Sequence, residues 1–144
     1  MSTLPLHYVD LRAFSYATED EQRVDEALQY FLPEEYELDR ASTEGFHGDR
    51  IVVLSARVER ADDVRVVLGQ LAEFEGIEGV VEELNERVDE NCAFYLTLDK
   101  QAAYRGEVAL GDGLTLRGKI EAYPAKKEIA VENLRELLAD LQTG

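Results

Sequence analysis

Alternating apolar and polar side chains predict that much of this chain forms β-strands with one buried face. In the first of these strands, Val9, Leu11 and Ala13 point to one side and the residues between them to the other. Two glycines permit the turn of a hairpin between the second and third strands. The predicted strands cover Leu6–Tyr16, Tyr36–Thr43, Arg50–Glu59, Cys92–Leu98, Val108–Leu110 and Leu114–Ala122.

Apolar residues at helical spacing fill the stretches between these strands. A capping box at Thr18–Glu21 opens the first predicted helix. The second covers Ala61–Phe74, and Val80–Val88 is expected to add a short further helix. The last helix begins after Pro124, which suits a helix entry, and Asn133 interrupts its apolar stripe.

The order of the elements is strand, helix, two strands, one or two helices, three strands, helix. Hairpins and strands with a single apolar face are typical of antiparallel sheets covered on one side. The sequence therefore predicts an α+β fold, a mostly antiparallel sheet with helices packed on one face. At 144 residues, the whole chain, 1–144, is expected to form a single domain.

The uncovered face of the predicted sheet gathers aromatic and basic side chains. Rings alternating with cations suit single-stranded RNA, because bases stack on rings and guanidinium groups pair with phosphates. The alternative is a dimer interface or a further layer of core, since tyrosine is common at interfaces. The residues concerned are Tyr8, Arg12, Phe14, Tyr95, Arg117, Lys119 and Tyr123.

Acidic residues dominate the composition, whereas the basic residues are clustered. There are 31 Asp and Glu against 15 Lys and Arg, which gives a net charge of −16. Six of the 15 lie between Asp99 and Lys127, a window that holds only four acids. Such a cluster in so acidic a chain suggests a site for phosphate or another anion. The six are Lys100, Arg105, Arg117, Lys119, Lys126 and Lys127.

The excess of acids also bears on the conditions in which the protein works. Only four of the basic residues are lysines, and acids are spread along every predicted helix. An acidic surface suits concentrated salt, where charges are screened within about 3 Å at 1 M. We therefore hypothesise a halophilic source. The alternative is an acidic protein from an ordinary-salt environment that binds a basic partner.

Motifs for catalysis, metal binding and membrane insertion are not found in the sequence. No P-loop or dinucleotide motif is present, and one Cys and two His lack metal-ligand spacing. We therefore expect no enzymatic activity, no catalytic residues, no metal and no cofactor, and a reduced core thiol at Cys92. No apolar stretch approaches the roughly 20 residues that cross a bilayer, so we expect a cytoplasmic protein with no membrane partner.

Five stretches of the chain carry a family resemblance: His7–Phe14, Ala17–Glu21, Glu44–Asp49, Phe94–Gly106 and Ala122–Lys127. Together they resemble the archaeal family of small RNA-binding proteins often described as predicted exosome subunits. The resemblance extends over almost the entire chain. It implies an α+β fold similar to that of the ribosomal protein that binds the smallest ribosomal RNA, and a non-catalytic role in RNA binding.

Two lines of argument nominate RNA-binding residues. Four of them, Arg12, Tyr95, Arg117 and Lys119, rest on the argument from the sheet face. A solvated turn is the simpler interpretation of Lys100 and Arg105 taken singly. The residues that lie within the matching motifs, and that the resemblance supports, are His47, Lys100, Tyr104, Arg105, Lys126 and Lys127.

From the sequence we expect a non-enzymatic RNA-binding protein, an accessory of RNA processing or of an archaeal exosome. RNA is the expected partner, and exosome or other RNA-processing proteins are further candidates. The alternative function is a structural or protein-interaction module that uses its open sheet face to form a homodimer or larger oligomer.

Overall fold

A computed structural model describes residues 5–16, 18–34, 36–44 and 48–143 of the chain. Within this part of the chain, no helix is both long enough and apolar enough to cross a bilayer. The strands are β1 (Leu6–Ser15), β2 (Asp39–Glu44), β3 (Arg50–Val58), β4 (Ala93–Asp99) and β5 (Gly113–Ile120). The helices are α1 (Glu21–Gln29), α2 (Ala61–Ala72), α3 (Ile77–Glu82), α4 (Leu84–Arg87), α5 (Lys100–Tyr104) and α6 (Lys127–Thr143).

The five strands form one sheet in the order β2-β3-β1-β5-β4. Every neighbouring pair is antiparallel, including the hairpin of β2 and β3. This arrangement confirms the α+β fold with a mostly antiparallel sheet. It also places β1 and β5, which come from opposite ends of the chain, side by side at the centre of the sheet.

One face of the sheet supplies the core. The residues of β1 and β5 predicted to point inward are buried, among them Leu11 and Leu116. Fully buried residues of the helices, such as Leu28 of α1 and Leu134 of α6, belong to the same apolar cluster. The helices therefore cover this face, and the alternate residues of each strand point to the opposite side.

The segment Val108–Leu110 does not form the separate strand predicted from its alternation. Leu110 makes only an isolated bridge to Leu98 at the outer edge of β4. Beside it, the amide of Asp99 donates to the carbonyl of Ala109 at 2.8 Å. The prediction of an additional strand there was wrong, because the segment follows β4 for too short a distance to form a ladder.

Asn133, which interrupts the apolar stripe of α6, has a specific partner. Its Nδ2 donates a hydrogen bond of 3.0 Å to the carbonyl oxygen of Glu121, directly after β5. A partly buried carbonyl left without a donor would lower stability, so the polar side chain fits this position. The contact ties α6 to the end of the central strand.

The short helix α5 begins directly after β4, with Asp99 as its N-cap. Asp99 Oδ1 accepts hydrogen bonds from the amides of Gln101 at 2.9 Å and Ala102 at 3.3 Å. This cap satisfies amides at the start of the helix that have no partner within it. Helix α5 packs against α1, at the end of the sheet where β1 also ends.

Candidate functional site

Four side chains form a row across the sheet face that the helices leave uncovered, which we call the open face. The strand register sets Asp10 of β1 opposite Arg57 of β3 on one side and opposite Arg117 of β5 on the other. Arg117 is in turn opposite Tyr95 of β4. Directly opposed residues share a face of the sheet, so these four side chains lie next to one another. We call Arg57, Asp10, Arg117 and Tyr95 the arginine row.

Arg57 is held in place by an ion pair and by an aromatic ring. Its Nε and Nη2 donate to the two carboxylate oxygens of Asp10, at 2.8 and 3.0 Å. The same guanidinium lies 4.0 Å from the ring centroid of Tyr8. Donating these hydrogen bonds to Asp10 raises the pKa of Arg57 above its ordinary value. Such a bidentate, stacked guanidinium has a fixed orientation.

Arg117 is held by two phenol groups. Its Nε donates to the hydroxyl of Tyr95 at 3.2 Å and its Nη1 to the hydroxyl of Tyr8 at 3.4 Å. The hydrogen bond with Tyr95 raises the pKa of Arg117, and the charge of Asp10 adds to that effect. The tyrosine hydroxyls therefore orient a cation in the middle of the open face.

Asp89 interacts with Tyr95, at the end of the arginine row. Burial raises the pKa of its carboxyl group, but amide hydrogen bonds from Ala93 and Asn91 outweigh that effect and leave the pKa below its ordinary value. The hydroxyl of Tyr95 and the charge of Arg117 lower it further. A chain of polar contacts thus runs from Asp89 through Tyr95 to Arg117.

A second row, two residues further along each strand, carries hydroxyl groups. Arg12 of β1 is opposite Ser55 of β3 and Thr115 of β5, and Thr115 is opposite Thr97 of β4. We call Arg12, Ser55, Thr115 and Thr97 the hydroxyl row. A shallow cavity of about 500 Å³ lies over the two rows. Its floor therefore combines guanidinium groups with small hydroxylated side chains.

Arg12 is the cation of the hydroxyl row. It is exposed, and its guanidinium lies 5.4 Å from the ring centroid of Phe14. Among the described residues, no carboxylate forms an ion pair with it, in contrast to Arg57. Arg12 is therefore free to pair with an anion from outside the chain.

Lys119 and Tyr123 extend the open face toward the start of α6. Lys119 is opposite Tyr8, and its ammonium donates to the carbonyl of Asn91. Tyr123 is 79% exposed just beyond β5. The basic side chains of the open face are Arg12, Arg57, Arg117 and Lys119, and the acids beside them are Asp10, Asp39 and Asp89. Basic and acidic groups are therefore mixed on this face, on a chain whose net charge is −16.

Lys100 lies elsewhere, and it is not in a solvated turn. Only 7% of the residue is exposed. Its ammonium donates to Glu19 Oε1 and to the carbonyl of Phe14, both at 2.7 Å. The solvated turn predicted for Lys100 was wrong, because the lysine joins the start of α5 to the end of β1. All of its short polar contacts are within the chain.

The remaining candidates divide between the two ends of the sheet. Tyr104 and Arg105 are exposed at α5, where Arg23 lies 5.1 Å from the ring centroid of Tyr104. Lys126 and Lys127 lie at the start of α6, at the opposite end of β5. The eight residues of β5 separate these ends by about 25 Å. The basic window of the sequence therefore does not form one surface, and His47 lies outside the described residues.

Arg57 is a member of the site that the sequence-based nomination missed. The signal was present, because Arg57 lies between the inward-pointing Ala56 and Val58 and must point outward in a strand. Its position beside Asp10 could not be derived in the same way. That contact depends on the pairing of β1 with β3.

Among the described residues, no three His, Cys, Asp or Glu side chains form a group that could hold a metal ion. The chemistry of the open face consists instead of oriented hydrogen-bond donors with positive charge. Such donors bind phosphate and other anions, and they do so with directional preference where the guanidinium is fixed. Fold and site together define an α+β protein with arginines on an open sheet face.

Comparison with known proteins identifies the family. A family model described as RNA binding matches residues 8–120, and the chain belongs to this family. The chain is 37% identical over 146 residues to the RNA-binding protein PAB1135 of Pyrococcus abyssi, covering 94% of this chain and 95% of that protein. It is also 32% identical over 117 residues to the uncharacterized protein MJ0213 of Methanocaldococcus jannaschii, covering 75% and 78%.

A solved structure supports the same assignment. Mth689, a DUF54 protein from Methanothermobacter thermautotrophicus, superposes with a TM-score of 0.81 at 40% sequence identity. The superposition covers 92% of this chain and 98% of that one. The resemblance to an archaeal RNA-binding family that was seen in the sequence is confirmed.

Proposed function

We propose that this protein binds RNA through the open face, with Arg12, Arg57, Arg117 and Lys119 as its cationic contacts. The observation that carries the proposal is the arginine row, in which two guanidinium groups are fixed by Asp10 and by tyrosine hydroxyls. Fixed guanidinium groups pair with phosphates without first losing side-chain freedom, which favours binding. Family membership supports RNA as the ligand.

The charge of the chain sets the conditions under which this binding works. A net charge of −16 repels a polyanion at long range when little salt is present. Salt screens that repulsion over about 3 Å at 1 M, whereas bidentate hydrogen bonds act at contact distance. The proposed interface therefore relies on short-range contacts, and binding persists in concentrated KCl.

Lys100 is left out of the proposed interface, because its ammonium group pairs with Glu19. Tyr104, Arg105, Lys126 and Lys127 lie at the ends of the sheet and enter the proposal only as contacts for a longer RNA. No contact is assigned to His47.

The experiment is a comparison of two arginine variants by fluorescence anisotropy with labelled RNA in molar KCl. The double variant Arg12→Ala/Arg117→Ala removes two cations of the open face. The control Arg135→Ala removes one from α6, where Arg135 pairs with Glu132 at 2.7 Å. Loss of RNA binding in the double variant alone supports the proposal. Equal affinity of the double variant and the wild type overturns it.

Use of the open face for self-association is the second candidate function. It is favoured by Tyr95, which is 45% exposed, and by edge strand β2, whose six residues are all exposed. An exposed strand edge and an exposed ring are features of protein interfaces. Sedimentation of the same variants decides between the two functions. Dissociation of an oligomer in the double variant, without RNA binding by the wild type, favours self-association.

A role beside an exosome, in RNA processing or degradation, is an extension of the proposal that rests on the family resemblance. Affinity purification from an archaeal cell extract, with and without ribonuclease treatment, tests it. Exosome subunits that remain bound after RNA is destroyed support a direct association. Their absence from the purified material contradicts it.

A further inference from the structure

Three rings of the open face, those of Tyr8, Phe14 and Tyr95, already have partners. Arg57 lies 4.0 Å from the ring centroid of Tyr8, and Arg12 lies 5.4 Å from that of Phe14. Arg117 lies 5.7 Å from the ring centroid of Tyr95. An RNA base that stacked on these rings would have to compete with a guanidinium group at each of them.

The hydroxyl groups of the two tyrosines also have partners. Both accept hydrogen bonds from Arg117, at 3.2 Å from Tyr95 and 3.4 Å from Tyr8. The phenols therefore act as supports for the cation. This arrangement differs from the stacking platform that the sequence suggested, in which the rings themselves meet the ligand.

Apart from the carboxylates of Asp10 and Asp39, the groups that remain for a ligand are donors and hydroxyls. Guanidinium groups of Arg12, Arg57 and Arg117 lie beside the small side chains of the hydroxyl row, over a cavity of about 500 Å³. Guanidinium groups match phosphates, and serine and threonine hydroxyls match the 2′-hydroxyl of ribose. The surface is therefore suited to the sugar-phosphate backbone rather than to base edges.

The cations also spread in two directions. Arg57 and Arg117 stand two strand spacings apart, about 10 Å, across the sheet. Arg12 and Lys119, four residues apart in register, are separated by about 13 Å along it. A single-stranded RNA follows one line across a surface. A broad array of cations instead contacts both strands of a base-paired RNA helix. Paired RNA exposes ribose hydroxyls and phosphates across its wide, shallow minor groove.

We propose that the open face binds base-paired RNA through its ribose-phosphate backbone, with Tyr8 and Tyr95 positioning Arg117 rather than stacking on bases. This inference rests on the proposed RNA-binding function and names the class of RNA. Binding by shape and backbone predicts little dependence on base sequence.

The test compares three nucleic acids of equal length by fluorescence anisotropy in molar KCl. They are an RNA hairpin with a blunt stem, an unpaired oligouridine and a DNA hairpin of the same sequence. The inference predicts that the RNA hairpin binds most tightly. The DNA hairpin is expected to bind less tightly because it lacks the 2′-hydroxyl groups.

Two substitutions of Tyr95 distinguish a hydroxyl that positions Arg117 from a ring that stacks on RNA bases. Tyr95→Phe keeps the ring and removes the hydroxyl that holds Arg117, so affinity for the RNA hairpin is expected to fall about two- to tenfold. Tyr95→Ala should weaken binding by about the same factor. The control Tyr30→Phe removes a tyrosine hydroxyl at the end of α1, on the side of the sheet that the helices cover, and should leave affinity unchanged. Circular dichroism melting checks that each variant is folded.

The outcomes distinguish the inference from the proposal on which it rests. Tighter binding of the unpaired RNA, or a Tyr95→Phe variant that equals the wild type while Tyr95→Ala loses binding, overturns the inference and leaves RNA binding intact. Failure of the wild type to bind either RNA overturns both. Preference for the RNA hairpin together with weaker binding by Tyr95→Phe supports it.

Discussion

Asp10 and Arg57 face each other across strands β1 and β3 and form a bidentate ion pair, with N–O distances of 2.8 and 3.0 Å. Asp10 also lies opposite Arg117, so one carboxylate is placed between two guanidinium groups. It fixes the orientation of Arg57 and lowers the repulsion between the two cations. The acid is therefore part of the same surface as the two cations, and the row depends on all three residues.

The first prediction concerns Arg57 itself. If Arg57 contacts a phosphate, Arg57→Ala weakens RNA binding and lowers the slope of log affinity against log salt by about 0.7 to 0.9, the value for one lost contact. Arg57→Lys keeps the charge but loses the bidentate pairing, so it should restore the slope and only part of the affinity. Anisotropy titrations at several KCl concentrations measure both quantities. An Arg57→Ala variant with unchanged slope would remove Arg57 from the interface.

The second prediction concerns Lys100. Because its ammonium is buried against Glu19 and the carbonyl of Phe14, Lys100→Ala should lower the free energy of unfolding by about 3 kcal/mol. RNA affinity of the folded variant should not change. Urea denaturation and anisotropy check the two statements. As a comparison, Arg105→Ala removes an exposed cation near Glu107 and should leave stability almost unchanged.

A loss of RNA affinity in Lys100→Ala without a loss of stability would contradict this account. It would instead favour Lys100 as an RNA contact, the role that the family resemblance implied.

The outward residues of the central strands could be predicted from the sequence, because alternation determines the face on which each side chain lies. Arg12, Tyr95, Arg117 and Lys119 were nominated in this way, and the structure places them on the open face. The arginine row, which joins Tyr95 and Arg117 to Arg57, could not be predicted. It requires the register of three strand pairs, and a shift of one residue would send each side chain to the other face.

Contacts distant in sequence account for the predictions that failed. The partner of Lys100 lies 81 residues earlier in the chain, so local composition indicated a solvated turn where a buried pair exists. The basic window between Asp99 and Lys127 looked like one site because its members are near in sequence. In the fold, β5 carries the chain from one end of the sheet to the other, and the window is divided.

The third prediction concerns pH and Asp89. Its pKa in the folded protein lies below the ordinary value of 3.8, so the ionised carboxylate stabilises the fold above that value. This contribution is lost as the pH falls through the lowered pKa. Asp89→Asn should therefore reduce stability at neutral pH, and the difference from the wild type should shrink as the pH falls below 3.8. Urea denaturation across that range measures the difference. A difference that grows on acidification would contradict the assignment.

The fourth prediction concerns salt and stability. With a net charge of −16, self-repulsion should destabilise the fold when salt is removed. The melting temperature is therefore expected to rise with KCl, and NaCl at the same ionic strength should act alike if screening is the cause. Thermal denaturation in the two salts provides the measurement. A protein that keeps its full stability without salt would refute the halophilic hypothesis.

The most direct measurement of the central claim is an NMR titration of nitrogen-labelled protein with the RNA hairpin, observing the Nε–H signals of the arginine side chains. Binding through the open face predicts shifts for Arg12, Arg57 and Arg117, with Arg87 and Arg135 of the helix layer unchanged. Shifts confined to arginines of the helices, with the open-face signals unmoved, would contradict it.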